Sequence, residues 1–136
     1  MRVIPLVFSM VLLALIAWAA VPAAAGDGDL PLPDAWSTHY AWFLLANPAY
    51  CPGSKEAEAA ITAAHIQYQL RLQAEGCAIA AGGLGPGPDG SIVGLTLLRA
   101  SSLEEARAMA EADPAVRAGR LRAHVRAWWV PAERLP

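Results

Sequence analysis

With 136 residues the chain has room for one domain. Hydrophobic residues make up 56% of it, above the usual level for a soluble domain, and the excess sits in the first 25 residues. Ten basic against twelve acidic residues, with no basic run anywhere, exclude nucleic acid and an anionic membrane surface as partners.

The N-terminus reads as an export segment. Arg2 precedes an apolar run from Val3 to Val21 that only Pro5 and Ser9 break, and Pro22-Ala23-Ala24-Ala25-Gly26 follows. A charged start, an apolar stretch and a small-residue A-x-A site, in that order, predict a signal peptide over residues 1–25, cut after Ala25. The product would be secreted or periplasmic. The alternative is an uncleaved membrane anchor, since residues 3–25 are long enough to span a bilayer. Only in that case is a membrane a partner. Ala23 and Ala25 suit a signal peptidase, and no basic cluster follows to stop transfer. Cleavage removes Arg2 alone among the charged residues, leaving nine basic and twelve acidic, a net charge of −3.

Residues 26–37 are punctuated by Gly and Pro and read as a tether, residues 38–131 as the domain, and residues 132–136 as a tail. His39 to Ala46 is apolar on both faces, which suits a central strand covered on two sides. Ser54 to Glu75 is rich in helix formers, with Ile61, Ala64, His65, Tyr68 and Leu72 on one face and Lys55, Glu58, Gln69 and Arg71 mostly elsewhere. Gly76 follows as a C-terminal cap. Cys77 to Ala81 and Ile92 to Leu98 read as a hairpin around the turn Gly82 to Gly90. Ser102-Leu103-Glu104-Glu105 is a capping box that opens a second helix, running to about Ala112. Asp113-Pro114 interrupts it, and a turn leads through Val116 to Gly119. Leu121 to Val130 alternates with period 2 and is the last strand. Trp128 and Trp129 then point one ring to each sheet face, one into a dimer core and the other under a helix.

The order β-α-β-β-α-β predicts an α+β fold of the ferredoxin-like kind, an antiparallel sheet with two helices on one face. The bare face needs cover, so the expected state is a homodimer packed sheet against sheet. The cysteines, Cys51 and Cys77, flank a helix of about 22 residues, or ~33 Å. A disulfide needs Cα atoms within about 7 Å, so two free, partly buried thiols are expected, with an interchain bridge as the alternative.

These residues together resemble the YCII-related family. His65-Ile66-Gln67-Tyr68 looks like its helix histidine motif, Gly76 and Gly82 like its glycines, and Ser102 to Ala106 leads into Asp113-Pro114-Ala115-Val116-Arg117-Ala118-Gly119. The likeness spans about residues 39–130. Gly83 stands where the family usually has proline, and the following loop is unusually rich in Gly and Pro. The resemblance implies a dimeric ferredoxin-like α/β-barrel protein with a His-Asp pair in a pocket. A few relatives act on chlorinated or hydroxylated aromatic rings.

His65 and Asp113 are the candidate catalytic residues. An aspartate bonded to one ring nitrogen would fix the imidazole tautomer and leave the other as a general base. That suits proton abstraction next to a carbonyl, or elimination, in a small aromatic or lactone-like molecule. Tyr40 and Trp42 share a strand face, where core packing is the expected role. No cofactor or metal is expected. His39, His65 and His124 lack ligand spacing, and there is no Cys-x-x-Cys or His-x-x-x-His. The loop from Gly82 to Gly90 lacks a Gly-Lys-Ser/Thr ending and precedes a strand, so it is no phosphate cradle. Three readings stay open: an enzyme with an acid–base dyad, a non-catalytic small-ligand-binding domain, and a structural dimerisation module.

Overall fold

The computed structural model describes residues 32–88, 90–132 and 134–135. The expected signal peptide at 1–25, its alternative as an anchor, and the first part of the tether lie outside the described residues. No helix among the described residues is long and apolar enough to cross a membrane.

The elements are β1 (Trp36–Ala46), α1 (Lys55–Ala74), β2 (Ala78–Gly83), β3 (Ile92–Leu98), α2 (Leu103–Glu111), α3 (Pro114–Arg117) and β4 (Leu121–Pro131). The four strands form one antiparallel sheet in the order β2-β3-β1-β4, the ferredoxin-like arrangement expected from the chain order. β1 is central, as its two apolar faces predict. It begins at Trp36, ahead of the expected His39, because residues 36–38 pair with Pro131, Val130 and Trp129. A long-range ladder thus takes in the end of the expected tether. β2 likewise runs on through Gly82 and Gly83, which pair with Leu95 and Gly94.

The helices cover the sheet face that carries Tyr40, Trp42, Leu44, Leu98 and Val125. These pack with Leu72 of α1 and with Ala106 and Ala110 of α2. Tyr40 and Trp42 are therefore core residues. The alanines of α2 let that helix sit close to the sheet. On α1 the buried face is not wholly apolar: Gln69 is buried, whereas Ala64, expected inside, is exposed.

The caps follow local sequence. Ser54 Oγ accepts the Ala57 N–H at 3.2 Å, and Ser102 Oγ accepts the Glu105 N–H at 3.1 Å. Glu105 reaches back one residue further than a capping box requires, accepting from the N–H and the hydroxyl of Ser101, each at 2.6 Å. Those bonds hold its carboxyl below the usual carboxylate range. Gly76 follows the C-cap Glu75 with φ +76°, a conformation that favours glycine.

At Asp113-Pro114 the expected turn is a short helix. Proline fits the first helical position and Asp113 becomes the N-cap of α3. Cys51 and Cys77 are both free thiols; Cys77 is half-buried, but Cys51 is exposed rather than partly covered. Trp128 is 40% and Trp129 65% exposed, so neither ring packs under a helix. Nine-residue α2, about 14 Å long, is too short to cover eleven-residue β4, about 36 Å long.

Gly94 sits where β3 passes Leu44 and Gly82. A Cβ there would lie 2.7 Å from Leu44 Cδ1 and 3.1 Å from the Gly82 carbonyl oxygen. Gly94→Ala is therefore expected to destabilise the fold by about 1–3 kcal/mol. Denaturant unfolding checks this, and an unchanged midpoint would contradict it.

Candidate active site

The site grows from the break between α2 and α3. The residue before a proline is pushed to extended angles, and Asp113 has φ −62° and ψ 130°. That backbone turns the carboxylate onto the start of α3, where Oδ1 accepts the Ala115 N–H at 2.8 Å and the Val116 N–H at 3.4 Å. The other oxygen, Oδ2, lies 2.7 Å from His65 Nδ1 and accepts from Gln69 Nε2 at 3.2 Å. Asp113 is completely buried, while the His65 side chain retains 20% exposure.

Four donors surround one carboxylate. A carboxylate so placed can only accept, so the ring hydrogen belongs on His65 Nδ1. Nε2 is left as the unprotonated nitrogen available to another molecule. The two expected site residues, 48 positions apart, are thus brought together.

Gln69 and Thr96 extend this arrangement into the core, and neither was among the expected site residues. The Thr96 hydroxyl, fully buried on β3, donates to Gln69 Oε1 at 3.0 Å. With its oxygen so occupied, the Gln69 amide must present its NH₂ to Asp113. The chain Thr96–Gln69–Asp113–His65 has one consistent direction of donation up to the carboxylate. Position 69 is four residues after His65 and so shares its helix face. Thr96 is the polar residue in the apolar strand sequence Ile-Val-Gly-Leu-Thr-Leu-Leu. A polar side chain in such a strand needs a partner, and that was the available sequence signal.

A cavity of about 360 Å³ lies against this chain. Its walls include His65, Gln69 and Thr96, apolar Leu44, Ile66 and Leu70, and the strand backbone at Ala81 to Gly83. Gly82 and Gly83 do not close it: a Cβ at Gly82 would meet nothing within 4 Å. The volume lies in the range that small-molecule sites occupy.

A second polar group sits further along α1. The Tyr50 hydroxyl donates to Glu58 Oε1 at 2.6 Å and the Gly53 N–H donates to the same oxygen at 2.9 Å. These bonds, the tyrosine's first, hold the Glu58 carboxyl below the usual carboxylate range, and Arg120 adds to the effect. The same bond to Glu58 pushes the Tyr50 phenol up. A lowered carboxyl contributes its stabilisation above the ordinary carboxylate range and loses it as pH falls through the lowered value. The arrangement is therefore intact at neutral pH. On the other side of His65, the Tyr68 hydroxyl donates to the Met109 carbonyl at 2.7 Å and ties α1 to α2. Burial, then the charge of Asp113, pushes that phenol up.

Among the described residues no group of three or more His, Cys, Asp or Glu side chains is placed to hold a metal. His39 and His124 stand apart from the site, on the strand positions that face away from the helices.

The family model for the YCII-related domain matches residues 42–128, which take in His65, Asp113 and every wall of the cavity. The chain belongs to the YCII-related domain family. No curated protein matches it in sequence. Among solved structures, this YCII-related chain is similar to 5-chloro-2-hydroxyhydroquinone dehydrochlorinase (TftG) from Burkholderia phenoliruptrix AC1100, described in complex with 2,5-dihydroxybenzoquinone. The identity is 24%, over 66% of this chain and 92% of that one, with a TM-score of 0.47.

Proposed function

We propose that the chain is an exported YCII-related protein whose pocket uses His65 and Asp113 as an acid–base pair on a small ring compound, aromatic or lactone-like. One observation carries this reading. A wholly buried carboxylate lies 2.7 Å from Nδ1 of a histidine that lines a cavity of about 360 Å³. A histidine held only for packing would not need to border an empty space of that size.

In the proposed step Nε2 takes a proton from the carbon next to a carbonyl. The C–H electron pair forms a C=C bond and the carbonyl π pair moves to oxygen, giving an enolate. The proton then returns to another carbon, or the enolate expels a leaving group and His65 gives up its proton to it. Asp113 holds the imidazole in place and stabilises its cationic form. The cavity also bears on the alternatives, since a purely structural module would fill such a space with side chains.

The test is solvent exchange. Incubated in D₂O with a panel of lactones and cyclic hydroxyketones, the protein is expected to label carbon next to the carbonyl. His65→Ala should slow this by about 10²–10⁴-fold. Binding without exchange would leave a ligand-binding domain, and no binding at all would sink the pocket reading.

The dimer belongs to the same proposal. On the face away from the helices, β1 and β3 present Ala41, Phe43, Leu45, Leu95 and Leu97, and β4 contributes Arg122, His124, Arg126 and Trp128. An apolar centre edged by charge suits a second copy of the sheet. Sedimentation should show a dimer for the natural sequence and a monomer for Phe43→Glu; equal mass in both would contradict it. Export rests on the order of residues 1–25, and is checked by the N-terminal residue of the mature protein, expected to be Gly26.

A further inference from the structure

The cavity beside His65 has one permanently charged side chain among its described walls, Arg120, which the acid–base reading leaves without a task. Its backbone is fixed at the start of β4. Asn47 Nδ2 donates to the Gly119 carbonyl at 2.6 Å, and the Asn47 N–H donates to the Arg120 carbonyl at 3.3 Å. Its side chain is fixed at one corner. Nη1 donates to Thr62 Oγ1 at 2.6 Å and to the Glu58 carbonyl at 3.3 Å, and lies 3.6 Å from Glu58 Oε2. Nη2 and Nε have no partner among the described hydrogen bonds.

A guanidinium clamped through one terminal nitrogen keeps a two-pronged edge of donors, the geometry that matches a carboxylate. Thr62 precedes His65 by three residues on α1, so the arginine's anchor and the imidazole are neighbours on one helix face, roughly 5–6 Å apart at Cβ. A molecule small enough for the cavity can touch both. Glu58 meets the guanidinium at Nη1, through Oε2 at 3.6 Å, and its Oε1 is bonded to Tyr50 and Gly53, so its described contacts leave the Nη2–Nε edge untaken.

We propose that Arg120 is the pocket's anion-recognition residue and that the ligand is a small cyclic carboxylic acid, its carboxylate on Arg120 and its reacting carbon at His65 Nε2. This rests on the pocket reading above and names the class of molecule that fits it.

The test uses benzoate and its uncharged counterpart benzamide, titrated into the purified full chain by calorimetry, with the His65 ring signals followed by NMR. Benzoate is expected to bind at His65 at least about tenfold tighter than benzamide, the size of one charge-assisted contact. Arg120→Gln should erase that preference without weakening benzamide, and Arg120→Lys should keep part of it. Should Arg120→Gln fail to fold by circular dichroism, Thr62→Val keeps the charge but removes its anchor, and should reduce the preference severalfold. If both compounds bind alike and no variant alters the preference, Arg120 has no such role while the pocket stands. If neither compound binds, both readings fall.

Discussion

Asp113→Asn is expected to leave the fold in place and to lower turnover by about 10⁴-fold, the scale seen when a buried aspartate partner of a base is made neutral. The reason is donor counting. Oδ1 caps α3 and would still do so as the amide oxygen of asparagine. The NH₂ then occupies the place of Oδ2, where His65 Nδ1 and Gln69 Nε2 both donate in the natural protein. Two donors cannot face two donors. His65 can respond by moving its hydrogen to Nε2 and accepting at Nδ1, which removes the base from the pocket. Gln69 cannot respond, because Thr96 donates to its oxygen. The asparagine should therefore cost about 1–3 kcal/mol in stability, far less than its effect on turnover. Asp113→Ala strips the cap and every acceptor at once, and should destabilise by about 3–5 kcal/mol. Comparing the unfolding midpoints of the two variants with their exchange rates separates the roles. An asparagine variant with natural stability and natural turnover would mean that Asp113 is only a cap, since the amide oxygen keeps the bonds to α3.

Trp42→Ala is expected to damage the fold as severely as Asp113→Ala, at about 3–5 kcal/mol. Trp42 is completely buried on the central strand, between its register partners Thr96 and Val125 and beneath the helices. Alanine would leave a void on the most constrained strand, whose neighbours on both sides are hydrogen-bonded to it and cannot collapse inward. For a domain of about 100 residues, a loss of that size lowers the melting temperature by roughly 12–40 °C. The indole carries its own cost, since Trp42 Nε1 is buried without a partner. Trp42→Phe should accordingly lose less than the removed area suggests, within about 2 kcal/mol of the natural chain. Thermal unfolding of the two variants checks this, and a phenylalanine variant as weak as the alanine one would contradict it.

The legible part of this molecule was whatever local pattern determines. Alternation in Leu121 to Val130, helix formers between two caps, and a strand apolar on both faces predict the β-α-β-β-α-β order and the central place of β1. His65 and Asp113 stood out because an apolar helix face and a helix break are local signals, each on its own segment. Other features depend on partners far away in the chain. Trp36 to Thr38 extend β1 only because Trp129 to Pro131 lie opposite. Gln69 looked like a surface residue because glutamine usually is one, and its burial is decided by Thr96, 27 positions on, and Asp113, 44 positions on. Arg120 follows a turn glycine and looks solvated until Thr62, 58 positions earlier, is folded against it. Asp113-Pro114 carried a signal that was open to reading: proline at a first helical position starts a helix as readily as it ends one.

Asp113 lies 2.7 Å from His65 Nδ1, which puts the ring hydrogen on Nδ1 and leaves the lone pair on Nε2 of a histidine in the cavity wall. Long-range ¹H–¹⁵N spectra of the imidazole, taken with the ring neutral, read that tautomer directly. The expected result is a protonated Nδ1 and an unprotonated Nε2 in the natural chain, with the two exchanged in Asp113→Asn. A hydrogen on Nε2 in the natural chain, or the same tautomer in both, would contradict the dyad and the function built on it.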